Sequence, residues 1–88
     1  MIAKAHRRFW DCFNELPSEV QTLAREKYRL WQRDPFHPPL QFKPLVAGVW
    51  SIRVGQNYRA LARRQADMVV WFWIGTHEEY NKLIKRLS

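Results

Sequence analysis

The 88-residue sequence predicts an α+β fold in which an N-terminal helical hairpin packs on a small antiparallel β-sheet and a C-terminal helix closes the domain. Three observations carry this. Apolar residues recur at helical spacing up to about residue 32, alternate with period two from about residue 40, and return to helical spacing after Gly75. The stretch "DPFHPP" divides the first two regimes, because its prolines forbid regular hydrogen bonding. A chain of this length holds one modest core, so residues 1–88 are expected to be a single domain.

The first helix is expected from His6 to Asn14, with Phe9, Trp10 and Phe13 on one stripe. Pro17 breaks it. Ser18 followed by Gln21 has the pattern of a capping box, and Val20, Leu23, Ala24, Tyr28 and Trp31 continue one face, which predicts a second helix over about 19–32. Strands follow where Leu40 and Phe42, then Trp50, Ile52 and Val54, then Tyr58, Ala60 and Ala62 alternate with polar neighbours. "VGQN" and "RRQAD" supply hairpin connections. From Val69 to Ile74 both alternating sets are apolar, so this strand is expected to be covered on both faces. Thr76 and Glu79 form a second capping-box pattern, opening a helix with Tyr80, Leu83, Ile84 and Leu87 on one side.

Fifteen Lys and Arg against eight Asp and Glu leave a net charge of +7, which points to an acidic partner, either nucleic acid or protein. A membrane partner is disfavoured. The longest apolar run, Met68 to Ile74, is far short of the roughly 20 residues that span a bilayer. "MIAKAHRRF" lacks the apolar core of a signal peptide, so a soluble, cytoplasmic protein is expected. The single cysteine, Cys12, excludes an internal disulfide and reads as a packed thiol among Phe9, Trp10 and Phe13. His6 and His37 do not stand at metal-ligand spacing from His77, and neither a metal nor an organic cofactor is expected.

The candidate site lies around "WSIRVGQNYRAL" and "GTHEEY". If Gly55-Gln56-Asn57 form a three-residue loop, Arg53 stands directly opposite Arg59, and like charges so placed invite a phosphate or carboxylate between them. A two-residue loop instead puts the arginines on opposite faces. His77 falls in the first turn of the last helix, whose positive end disfavours a cationic imidazole and leaves a ring able to accept a proton. A plain surface cap is the competing reading of His77, and simple packing that of Tyr80.

The segments "HPPL", "KPL", "WSIR", "YRAL" and the terminal "THEEY", in that order, resemble the RelE/ParE superfamily of type II toxin-antitoxin toxins, including its RelE, YoeB and HigB-like members. The resemblance runs from Arg8 to Ile84. It implies a metal-independent endoribonuclease that cuts mRNA in the ribosome and so inhibits translation, with a cognate antitoxin as partner. By position, Arg59 is implied to stabilise the scissile phosphate, Arg53 and Lys43 to make supporting cationic contacts, and His77 or Tyr80 to act as acid or base. The alternatives are a ParE-like inhibitor of DNA gyrase without chemistry of its own, or a degenerate member that only binds an antitoxin.

Three departures from the superfamily pattern stand in the sequence. "HPPL" has prolines where YoeB-like members have a glutamate base, and no lysine accompanies "WSIR" as in RelE. Superfamily members begin with a β-strand, whereas only Met-Ile-Ala precedes the first helical residues, so a lost first strand or an internal start is expected.

Overall fold

A computed structural model describes residues 1–87. Its elements are β1 (Ile2–Ala5), α1 (Arg7–Asn14), α2 (Ser18–Arg33), a 3-10 turn (Pro38–Leu40), β2 (Lys43–Val46), β3 (Val49–Val54), β4 (Tyr58–Gln65), β5 (Met68–Thr76) and α3 (His77–Leu87). The five strands form one sheet in the order β1-β5-β4-β3-β2. β2 to β5 are an antiparallel meander, as the alternating pattern predicts.

The sheet is mixed, however, because β1 pairs in parallel with β5, from Ile2 opposite Met68 to Ala5 opposite Trp71. The expected loss of the first strand is thereby corrected. "IAKA" carries little strand signal of its own, with two alanines and a lysine. What makes it a strand is the open edge of β5. Such an edge leaves a row of backbone groups that any adjacent extended segment can pair.

Both faces of the sheet are covered. On one, Phe13, Ala24, Trp31, Leu40 and Phe42 pack on Ile52, Val54, Ala60, Ala62, Val69, Trp71 and Ile74. On the other, Tyr80, Leu83 and Ile84 of α3 pack on Val49, Leu61, Phe72 and Trp73. β5 serves both cores through a bulge: Leu61 pairs with Trp73 and Ala62 with Trp71, leaving Phe72 as the extra residue. Strict alternation would have placed Trp71 and Trp73 on one face, and the bulge sends them to opposite faces.

Two local expectations change. α2 is capped by Pro17 without a side-chain hydrogen bond, so Ser18 and Gln21 do not form a capping box. Gln21 instead donates through Nε2 to the carbonyls of Phe13 and Leu16, at 3.1 and 3.2 Å, and satisfies the C-terminal end of α1. Leu40 and Phe42 lie outside any strand: Pro38–Leu40 make a 3-10 turn, and Gln41 takes a left-handed φ of 48° before β2 begins at Lys43. Ala47 and Gly48, with φ of 41° and 79°, form the two-residue turn into β3.

The helical hairpin touches at its joint, where the guanidinium of Arg25 lies 4.8 Å from the centre of the Phe13 ring. Beyond the joint a cleft of about 390 Å³ opens between α1, α2 and the sheet. No helix among the described residues is long and apolar enough to cross a membrane.

Because Trp71 is only 5% exposed, Trp71→Ala is expected to cost about 3–5 kcal/mol. Trp73 is half-buried, and Trp73→Ala is expected to cost less. Urea unfolding of both variants measures the difference.

Candidate active site

The β3–β4 connection is the three-residue loop Gly55-Gln56-Asn57, with Val54 paired to Tyr58 and Arg53 directly opposite Arg59. Gly55 has a φ of 66°, a left-handed conformation that glycine adopts without strain. Both arginines are half-buried and lie on the sheet face that α3 covers. Nε of Arg53 donates to the carbonyl of Gly55 at 3.0 Å, which ties that guanidinium to the loop. Lys43 belongs to the same face: it pairs with Ser51, two residues before Arg53.

The second half of the site comes from the junction of β5 and α3. Here the predicted capping box forms: the backbone N–H of Thr76 donates to Glu79 Oε1 at 2.9 Å, and the backbone N–H of Glu79 donates to Thr76 Oγ1 at 3.2 Å. His77 is the first helical residue, and its own N–H donates to the carbonyl of Asn57 at 2.8 Å. The arginine hairpin and the helix start are therefore bonded directly. Tyr80, one turn on, stacks on His77 with ring centres 5.8 Å apart and planes 25° from parallel. Its ring lies 5.2 Å from Arg59 Cζ. Side chains separated by 18 and 21 positions in sequence thus form one row, His77, Tyr80, Arg59.

Access differs along the row. His77 is exposed, while Tyr80 is 7% exposed and belongs to the small core under α3. The packing reading of Tyr80 is therefore met, and its ring still touches both neighbours. Neither Lys43, Arg53 nor Arg59 is ion-paired to a carboxylate among the described residues. Uncompensated cations with an exposed imidazole nearby can bind a phosphate group and exchange protons with it. No three His, Cys, Asp or Glu side chains converge among the described residues.

The cleft on the opposite face escaped sequence reasoning. Its floor is Ile52, Val54, Ala60 and Trp71, and its rim includes Lys4, Arg25, Lys27 and Arg29. The available signal was Trp10 and Tyr28, which line the cleft at 46% and 37% exposure although both sit on helical stripes that periodicity assigns to the interior.

A three-layered α+β domain with an arginine pair beneath its last helix is the class that fold and site define. Residues 18–82 match the ParE-like toxin domain family. The chain belongs to that family, within the RelE/ParE superfamily of toxins. No curated protein matches the sequence. Among solved structures, the RelB-RelE antitoxin-toxin complex of Methanococcus jannaschii is similar with a TM-score of 0.73 at 14% identity, over 91% of this chain and 96% of that one. The toxin-antitoxin complex RelBE2 of Mycobacterium tuberculosis gives 0.70 at 22%, over 86% and 96%. The isolated RelE toxin of E. coli gives 0.64 at 16%, over 99% and 98%. At these identities the likeness is one of fold.

Arg59→Ala removes a cation from a half-buried position on the sheet and one cation–π contact with Tyr80. The expected loss of stability is about 1 kcal/mol or less. Thermal denaturation checks it; a large drop would make Arg59 a structural residue.

Proposed function

We propose that the chain is the toxin of a type II toxin-antitoxin system and a ribosome-dependent mRNA endoribonuclease. One observation carries this reading: Arg53 and Arg59 face each other with no ion pair to a carboxylate among the described residues, the Arg59 guanidinium lies against the Tyr80 ring, and His77 stacks on Tyr80. In the proposed reaction the ribose 2′-oxygen attacks the adjacent phosphorus, and the bond from phosphorus to the 5′-oxygen breaks. The 2′-hydroxyl proton passes to a base, and a proton from an acid reaches the leaving 5′-oxygen. His77, the exposed member, is the proton-transfer group best placed to meet the substrate. The Tyr80 hydroxyl is the candidate for the second transfer.

Arg59 meets the charge that grows on the phosphate oxygens, with Arg53 and Lys43 holding neighbouring phosphates. The antitoxin is proposed to be an acidic, amphipathic segment, and the cleft between α1 and α2 suits its docking. An apolar floor takes the apolar side of such a segment, while Lys4, Arg25, Lys27 and Arg29 take its carboxylates.

His77→Gln is expected to lower the cleavage rate at saturating ribosome by about 10²- to 10⁴-fold while leaving ribosome binding intact. Tyr80→Phe keeps the packed ring and removes only the hydroxyl. If it alone abolishes cleavage, the proton belongs to Tyr80. If both variants arrest growth while mRNA stays whole and gyrase activity falls, the chain is a gyrase inhibitor and the nuclease reading is wrong.

Reversing the charge of the cleft rim, with Arg25→Glu and Arg29→Glu together, is expected to weaken neutralisation by the antitoxin while growth arrest is retained. Co-expression with the cognate antitoxin measures this. Unchanged neutralisation would place the antitoxin elsewhere.

A further inference from the structure

Gly75 pairs with Arg59 across the β4–β5 ladder, on the face that carries the arginines. Its φ lies outside the left-handed region, so its backbone conformation does not require glycine. Its surroundings do. A Cβ at this position would lie 2.5 Å from Cζ2 and 2.9 Å from Cη2 of Trp73, and 3.0 Å from Oε1 of Glu79. Carbon atoms in contact keep about 3.5–4.0 Å between them. The indole of Trp73 therefore lies across the bare α-carbon of Gly75, and the carboxylate that caps α3 shares the same space.

This arrangement has two local causes. The bulge at Phe72 turns Trp73 toward α3, and the missing side chain at Gly75 lets the indole fold down along its own strand. The ring then borders Gly75, which is opposite Arg59, and packs in the small core that holds Tyr80. Glu79, over the same spot, fixes Thr76 and with it the start of the helix at His77.

We propose that Trp73 and Gly75 are a positioning pair for this site, the indole setting the height at which Tyr80, with His77 stacked on it, stands over Arg59 and the absent Cβ setting the height of the indole. The inference rests on the reading of Arg59, His77 and Tyr80 as the working site. Neither member of the pair touches substrate; both act through the first turn of α3.

The test is a double-mutant cycle with two independent readouts. Phenylalanine lacks the ring atoms Cζ2 and Cη2, so Trp73→Phe clears the space that Gly75→Ala would fill. One readout is the ring-current shift that Tyr80 imposes on the Arg59 side chain in NMR spectra; the other is cleavage of ribosome-bound mRNA. Gly75→Ala is expected to alter the shift and to lower the cleavage rate by about a hundredfold, at unchanged half-saturating ribosome concentration. The Gly75→Ala/Trp73→Phe chain is expected to recover both.

The proposal is overturned if Gly75→Ala keeps the wild-type shift, or if the double variant is no better than Gly75→Ala. If the shift moves and recovers while the wild type itself cuts no mRNA, the positioning stands and the nuclease reading fails. Should Gly75→Ala not fold, a folded double variant with the wild-type shift supports the pair, and an unfolded one overturns it.

Discussion

Strand β5 is hydrogen-bonded along both edges and covered on both faces, and the other elements take their places from that condition. A strand so enclosed must supply apolar side chains to two cores, and the bulge at Phe72 assigns Trp71 to one and Trp73 to the other. The enclosure has a cost. Among the described residues the buried indole N–H groups of Trp31 and Trp71 have no acceptor, and each costs about 1–3 kcal/mol. Burying an aromatic ring of 150–250 Å² contributes about 4–6 kcal/mol, so packing outweighs the lost hydrogen bonds. The two rings meet nearly edge to face, with centres 5.3 Å apart, which adds a little more.

The site is electrostatically costly in the same sense. Like charges directly opposite each other on a sheet repel, the more so where water is partly excluded. A carboxylate ion-paired to Arg53 or Arg59 would offset that cost, and neither arginine has one among the described residues. What the fold supplies instead is the ring of Tyr80, a weak partner that leaves the guanidinium free to bind a stronger one. An arginine pair held in this way is suited to an anion that comes and goes.

Much of this was legible in the chain. The arginine pairing was legible as a condition, since a three-residue loop puts Arg53 opposite Arg59 and a two-residue loop does not, and the structure has the three-residue loop. The cap at Thr76 and Glu79 followed from a four-residue pattern, and it placed His77 correctly. The same pattern misled at Ser18 and Gln21, because the open carbonyls of α1 lay within reach of the glutamine and took its donor. β1 was illegible because its pairing partner lies more than sixty positions away. The cleft was illegible because helical periodicity marks which residues share a face and does not say how far two helices stand apart.

By itself the sequence determined the succession of two helices, an antiparallel meander and a last helix, the enclosure of β5 and the start of α3, because each depends on spacing within a few residues. The tertiary structure decided that the sheet is mixed, that Trp71 and Trp73 part company, that Tyr80 reaches Arg59, and that Gly75 must be bare for Trp73 to lie beside them. Each of these is a contact between distant segments or a break in alternation. Local periodicity contains no information about either, because both are set by the space that neighbouring elements leave.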